Sequence, residues 1–573
     1  MQKAFGKKSV IFLFIFPAFL IYTAFVIVSI VWAGYYSFFD WSGVGEKVFV
    51  GFKNYIELLT QDDVFRSTVW HTLIYTVINV AIQVFGGLLF AILLSRIKKG
   101  RVALQTLYYI PVVISSVAIC QIFTKLLSVT PTGIVNQVLS FIDPSLKLME
   151  WISNPQISLY VTAFVEAYKY LGLYMVIFYA ALIGVPDELG EAALIDGAST
   201  WQEYLYVRIP YIKPVIIANC LLVLNGSLRS FEFSYLLTHG GPGNASELMT
   251  TYMYKQAFSS MKYGYGSSVA IMIVIICMVV GMLFRKFTGG GDDEMKKKKT
   301  TIPSIIKWVI ALILVVMQVY PFFYVFTSSF KSLDDFRQLP AYALPSKWVL
   351  TNFINVFTKS HMLTYFKNSI IVLIGVLIPL LLFALMAGFA LSKIKFKGRK
   401  FVLNYFLLGL MLPMQVALIP LFTIFNKMGL INTYPAIILP QIAFSLSYSI
   451  QLFYSFSKFF PEEMLEAAII DGCSPIGCFF KMVVPMSLNS IITVATMQAV
   501  FCWNEYINAY TFTRSTDMKT ITLGLNDFVG SMGLTDWGGT FAAITVTVLP
   551  VFIFYFFSSK KMLAGMTAGA VKG

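Results

Sequence analysis

Long apolar stretches alternate with short polar segments from one end of this chain to the other. A helix that crosses a hydrocarbon core needs about 20 apolar residues. On that measure six stretches qualify in the first half, near 9–32, 70–95, 104–126, 157–185, 213–238 and 264–285. Six more follow near 303–330, 368–392, 401–424, 433–460, 487–512 and 540–559. The basic clusters Lys3/Lys7/Lys8, Arg96/Lys98/Lys99/Arg101, Arg285/Lys286, Lys296 to Lys299, Lys393/Lys395/Lys397/Arg399/Lys400 and Lys560/Lys561 fall on one side when all twelve stretches cross. That bias marks a cytoplasmic face, so both termini are expected in the cytoplasm. Composition agrees: 58% of the chain is hydrophobic, 12% is charged, and mean hydropathy is +0.75. The expected class is an all-α polytopic membrane protein, two parallel six-helix bundles in a lipid bilayer. Net charge is +15, but its clustering in short loops argues against nucleic acid. The lysines before the first stretch precede no small-residue cleavage site, so that stretch is read as a retained span and not a signal peptide.

One polar segment occurs twice. Glu191-Ala-Ala-Leu-Ile-Asp-Gly197 returns as Glu466-Ala-Ala-Ile-Ile-Asp-Gly472, 275 residues later, and Pro186/Pro461, Pro210/Pro485 and Thr238/Thr513 keep that offset. Six spans between equivalent points make the halves parallel. Proline followed by acids (Asp187/Glu188; Glu462/Glu463) starts a helix, and Gly197 and Gly472 permit a turn. Each copy, 186–210 and 461–485, should be a short helix-turn-helix on the cytoplasmic surface, and the small Ala192/Ala193 and Ala467/Ala468 pairs admit a close partner. The expected organisation is a first half over 1–287, a Gly-rich charged linker over 288–302 and a second half over 303–573. Met295 followed by four lysines suggests two polypeptides joined end to end.

These loops resemble the EAA loop of ABC importer permeases, and the resemblance extends over nearly the whole chain. The first half is similar to the larger permease subunit of the carbohydrate-uptake, maltose-type group, through Gly51-Phe-Lys-Asn-Tyr55, Leu236-Leu-Thr-His-Gly-Gly-Pro242 and Tyr252-Met-Tyr-Lys-Gln-Ala-Phe258. The second resembles the smaller subunit, through Trp503-Asn-Glu-Tyr-Ile507, Thr522-Leu-Gly-Leu525, Trp537-Gly538 and the tail from Gly565 to Gly573. It departs from the maltose-type larger subunit in its short external loop at 127–156. The resemblance implies that Glu191, Ala192, Ala193, Asp196, Gly197, Glu466, Ala467, Ala468, Asp471 and Gly472 couple to a separate cytoplasmic ABC ATPase dimer, which the tail also contacts. It implies a solute-binding protein at the outer face, with 239–263 and 514–539 as its contacts, and a carbohydrate substrate. It places the chain in a bacterial cytoplasmic membrane.

The chain has no G-x-x-x-x-G-K-[ST] loop; Gly6-Lys7-Lys8-Ser9 fails the spacing. No catalytic or metal constellation appears, so no catalytic residue, bound cofactor or metal is expected, and ATP is used by the partner. The six cysteines read as free thiols. Polar residues within spans usually face an interior path. Glu166, Tyr168, Lys169, Tyr170 and Tyr174 stand in the fourth stretch, Asn225, Ser227, Arg229, Ser230 and Glu232 in the fifth, and Asn504 and Glu505 in the eleventh. Spacing by three lets Glu166/Lys169 and Arg229/Glu232 pair locally. The family's sugar site favours Glu166, Tyr170, Ser227 and Ser230 for the substrate path, with Gln83, Gln415 and Gln441 weaker. The competing readings are an ion-coupled twelve-helix secondary transporter, which leaves the paired loops unexplained, and an ABC permease for a phosphorylated polyol or polyamine.

Overall fold

The computed structural model describes residues 2–97, 100–145, 148–288, 304–528 and 536–570. Lys98, Lys99, Lys296 to Lys299, all of the expected linker except Thr288, loop residues 529–535 and the last three tail residues lie outside them. Among the described residues the only strands are Phe39–Asp40 and Val48–Phe49, an antiparallel pair with Phe39 opposite Phe49. The other regular elements are helices.

Among the described residues seven helical segments are long and apolar enough to cross a membrane: Lys8–Tyr36, Asp63–Ser95, Ser158–Ile183, Tyr263–Phe284, Met362–Lys393, Tyr434–Ser457 and Trp537–Phe554. The other five expected stretches also fall on helices, but four of them are broken. Arg101–Val113 meets Ser116–Leu126 at 97°, where the Ser115 hydroxyl accepts the Ala118 N–H at 3.2 Å and starts a new helix. The ninth stretch breaks between Arg399–Leu408 and Met414–Lys427, with Pro413 at the second N-cap. The fifth and eleventh stretches were expected to be continuous. They stop at Leu228 and Trp503, and short helices resume at Glu232–Thr238 and Ile507–Phe512. Backbone freed at such breaks must find partners within the protein or line a cavity.

The two halves interlock through their first spans. Lys8–Tyr36 packs against Met362–Lys393 and Tyr434–Ser457, with Phe14 edge-on to Phe479 at 5.2 Å and Thr23 Oγ1 2.8 Å from the Tyr405 hydroxyl. Reciprocally, Ser304–Ser328 lies on Arg101–Val113. There Tyr168 donates its hydroxyl to the Gln318 carbonyl at 2.9 Å, and Gln318 Nε2 donates back to the Tyr168 carbonyl at 3.2 Å. Helix pairs within each half approach at glycine. A Cβ on Gly172 would sit 2.0 Å from the Tyr108 carbonyl oxygen, and one on Gly388 would sit 2.7 Å from Phe453 Cβ. Small residues allow this backbone contact, which drives packing in lipid better than apolar area does.

Candidate functional site

The repeated loops fold alike. Pro186 and Pro461 cap the helices Asp187–Ile195 and Glu462–Ile470, each with two acids in its first turn. Each helix ends in a left-handed glycine, Gly197 at φ 84° and Gly472 at φ 83°. In both, the next N–H folds back: Ala198 to the Ala193 carbonyl at 2.9 Å, and Cys473 to the Ala468 carbonyl at 3.0 Å. Ser199 and Ser474 then cap a second helical run, which turns by 70° and 74° into the following span. Of the expected coupling residues, Glu191, Ala192, Asp196, Gly197, Glu466, Ala467, Asp471 and Gly472 are exposed, and Ala193 and Ala468 are half-buried. Beside them Ile195 and Ile470, also 275 apart, are 86% and 84% exposed.

The loops are fastened differently. In the first, Gly190 leaves room for Glu203, whose carboxylate accepts Arg208 Nε at 2.6 Å; Arg208 also reaches Asp187 at 3.4 Å. In the second, the equivalent positions are Leu465, Cys478 and Val483, all buried in apolar packing. Lys393 ties that loop's entry by donating to the Phe460 and Lys458 carbonyls at 2.8 and 3.2 Å.

A cavity of about 540 Å³ lies where the helix breaks converge, within the range of about 300–1,000 Å³ common for small-molecule pockets. Glu166, Tyr170, Ser227 and Ser230 all line it, with Gln83, Gln415, Tyr174, Arg229, Glu232 and the ninth-stretch break at Gly409 to Met414. Glu166 Oε2 accepts the Tyr75 hydroxyl at 2.7 Å and the Ser230 hydroxyl in a short bond. The Ser227 hydroxyl is buried and has no partner among the described residues. Arg229 donates to the Asn225 carbonyl at 2.8 Å and extends to within 3.4 Å of the Leu410 carbonyl, in the other half. Its counterpart 275 residues on, Asn504, donates to the Val113 carbonyl at 2.7 Å, back in the first half. Each half thus satisfies carbonyls freed by a break in the other.

Aromatic rings stand between this cavity and a second one. Phe231 stacks on Tyr235 at 4.9 Å, and Tyr506 stacks on Tyr510 at 5.3 Å; both members of the second pair follow the first by 275. The Tyr235 and Tyr510 hydroxyls hydrogen-bond to each other at 2.8 Å. A bond between equivalent residues puts this contact on the pseudo-two-fold axis relating the halves. Phe231 faces the inner cavity, whereas Tyr235 and Tyr510 line a second cavity of about 630 Å³ with Arg514, Asn426 and Asn526.

Several sequence expectations change. The local ion pairs do not form among the described residues. Lys169 Nζ donates instead to Ser116 Oγ at 2.9 Å, at the third-stretch break, and Glu166 turns to Tyr75 and Ser230. Arg229 and Glu232 are separated by the end of one helix and the start of the next. Glu505 is a helix cap, accepting the Asn508 and Ala509 N–H groups at 2.6 and 3.3 Å. Gln441 is buried and donates to the Ile437 carbonyl within its own helix, away from the cavity. Sequence reasoning missed Tyr75, a buried partner on another span, and the ring pairs, although Tyr235 and Tyr510 carry the repeat's own offset.

The family described as "Binding-protein-dependent transport system inner membrane component" matches this chain twice, over residues 83–288 and 380–562. The Bacillus subtilis (strain 168) protein described as "Probable ABC transporter permease protein YurN" is 33% identical over 284 residues, 49% of this chain and 96% of the relative. The diacetylchitobiose uptake system permease protein NgcG of Streptomyces coelicolor is 32% identical over 45% of this chain and 85% of its own length. The arabinooligosaccharides transport system permease protein AraQ of Halalkalibacterium halodurans is 36% identical over 40% of this chain and 81% of its own. Each relative fits within about half of this polypeptide, and the segments the family matches hold both repeated loops, the lining of the 540 Å³ cavity and the ring pairs. The chain belongs to the inner membrane components of binding-protein-dependent transport systems, and carries that component twice over.

Proposed function

We propose that this chain is the transmembrane permease component of an ATP-driven carbohydrate importer and forms its solute path. The permease halves span 1–287 and 303–573, joined by 288–302, and both termini are cytoplasmic. A solute-binding protein delivers the sugar at the face of the 239–263 and 514–539 loops. A separate ATPase dimer engages the two exposed helices at the opposite face through Glu191, Ala192, Ala193, Asp196 and Gly197 and through Glu466, Ala467, Ala468, Asp471 and Gly472. Closure of that dimer draws the two helices together, and the halves tilt as rigid bodies. The Phe231/Tyr235 and Tyr506/Tyr510 stacks part on the outer side, and sugar passes to the inner cavity. There Glu166, Ser227 and Ser230 offer hydroxyl-matching groups and Tyr170 an apolar face.

The observation that carries this reading is the pair of similarly folded, solvent-exposed helices, each ending in a bare isoleucine. The relatives named for diacetylchitobiose and arabinooligosaccharides support a sugar cargo, as does a cavity with hydroxyl, amide and aromatic groups and mixed charge. The experiment is reconstitution with the partner ATPase and binding protein across an oligosaccharide panel. Glu466→Lys should keep the fold, since the position is solvent-exposed, yet uncouple ATP hydrolysis from uptake. Full coupled uptake in that variant contradicts the coupling role. Uptake driven by an ion gradient without ATPase would instead establish the secondary-transporter reading.

A further inference from the structure

A cavity of about 320 Å³ lies apart from the transport path, where the segment after Leu126 meets the segment after Ser328. It is one full crossing, Ser158–Ile183, away from the first coupling loop. Lys125, Lys331 and Arg337 line it. Lys125 is 3% exposed and Lys331 2%. The Lys125 ammonium stands 4.6 Å over the Trp537 ring, and no carboxylate lies within 4 Å of it among the described residues. Lys331 donates one hydrogen bond, to the Ala341 carbonyl at 3.0 Å. The single carboxylate in the wall, Asp335, is already engaged: Oδ1 accepts the Ser346 hydroxyl at 2.5 Å and Oδ2 the Ser332 N–H at 3.0 Å. Three cations therefore face one committed acid. Buried charge of one sign is costly without a counter-ion. The neutral wall donors are already used, Gln137 Nε2 on the Thr132 carbonyl at 2.9 Å and the Thr132 hydroxyl on the Val129 carbonyl at 3.2 Å, so the cationic groups are the ones that would meet an oxyanion.

The rim identifies the source of that oxyanion. Gln137 belongs to the helix Ile134–Ile142, whose Ile134 and Asn136 are buried. Val138, Phe141 and Ile142 continue the apolar stripe that Ile134 begins (i, i+4, i+7, i+8) but are 50%, 90% and 72% exposed, and Leu333, on the segment that carries Lys331 and Asp335, is 61% exposed. Such a bare apolar edge on a short amphipathic helix is stable when sunk among acyl chains. We propose that this cavity holds the phosphate of a phospholipid headgroup, with the acyl chains lying along the Val138/Phe141/Ile142 edge. The lipid pins the loop of the first half to the loop of the second, on the side opposite the coupling helices. A free phosphate would satisfy the lysines but leave that edge in water.

The test uses delipidated full-length protein in detergent. Binding of phosphatidylglycerol, a phosphate-free glycolipid of the same acyl length, and inorganic phosphate is followed by native mass spectrometry and thermal melting. Phosphatidylglycerol should bind and raise the melting temperature, and the glycolipid should not. Lys125→Gln/Lys331→Gln should weaken the lipid about 30-fold, and exposed Arg337→Gln about fivefold, as expected for two and one basic groups at a membrane surface. The Arg337 variant keeps the test decisive if the double variant does not fold. Equal stabilisation by inorganic phosphate alone would reassign the cavity to a soluble anion. Variants that weaken only the solute-binding protein would assign it to an acidic protein surface. Unchanged lipid affinity in Arg337→Gln, or equal binding of the glycolipid, overturns the proposal.

Discussion

Replacing Tyr510 by Phe removes one hydroxyl from the contact on the symmetry axis and nothing else. The Tyr510 hydroxyl bonds that of Tyr235 at 2.8 Å, and the rings of Phe231, Tyr254 and Tyr506 that pack around the pair keep their stacking. A neutral hydrogen bond contributes about 0.5–1.5 kcal/mol. Both tyrosines are half-buried beside the outer cavity, so water recovers part of the loss and about 1 kcal/mol remains. That shifts the ratio of outer-closed to outer-open molecules about fivefold toward open. By linkage, whatever favours the outer-open state favours the closed ATPase dimer. ATP hydrolysis without binding protein should therefore rise about fivefold in the reconstituted complex, with coupled uptake largely retained. Tyr235→Phe should do the same, and the double variant should add little, because each hydroxyl's recorded partner is the other. A basal rate equal to the parent's in all three variants, or full additivity in the double, refutes the assignment of this contact as the outer seal.

Ser227→Ala should raise the KM for sugar uptake about three- to tenfold, the worth of one hydrogen bond, without moving Tm, because the hydroxyl has no partner among the described residues; a Tm drop with unchanged KM would make it structural. Gly172→Ala forces a Cβ against the Tyr108 carbonyl at 2.0 Å, so thermal unfolding in detergent should show a loss of about 1–3 kcal/mol. Arg208→Met leaves the buried Glu203 carboxylate without its 2.6 Å partner, and faster proteolysis within 187–211 should report the loosened loop, while Lys393→Met should affect only 458–471.

Much of this fold is written in the local pattern. Apolar length gives the spans, and the prolines, acids and glycines of the repeated segment give the loop helices nearly residue by residue. Breaks were harder to see, because apolar residues continue on both sides of Arg229 and Asn504 and nothing in hydropathy distinguishes a bent crossing from a straight one. Proximity in sequence also misled. Glu166 and Lys169 stand three apart on one helix, yet Tyr75 and Ser116, on other spans, hold them. The exchange of first spans between halves, seen in Tyr168 and Gln318, is tertiary and leaves no local trace. Tyr235 and Tyr510 share the repeat offset and were legible, but a tyrosine in an apolar run carries no signal until its partner is known.

The central claim is that two matched helices transmit the work of an external ATPase, and Ile195 and Ile470 test it most directly. Each is more than four-fifths exposed, so Ile195→Asp and Ile470→Asp should leave Tm unchanged. Burying such a side chain contributes about 1.5–3 kcal/mol, so each variant should weaken ATPase binding about 10- to 150-fold, measured on immobilised permease, and uptake should fall in parallel. Parent-like ATPase affinity and uptake in both variants would contradict the account.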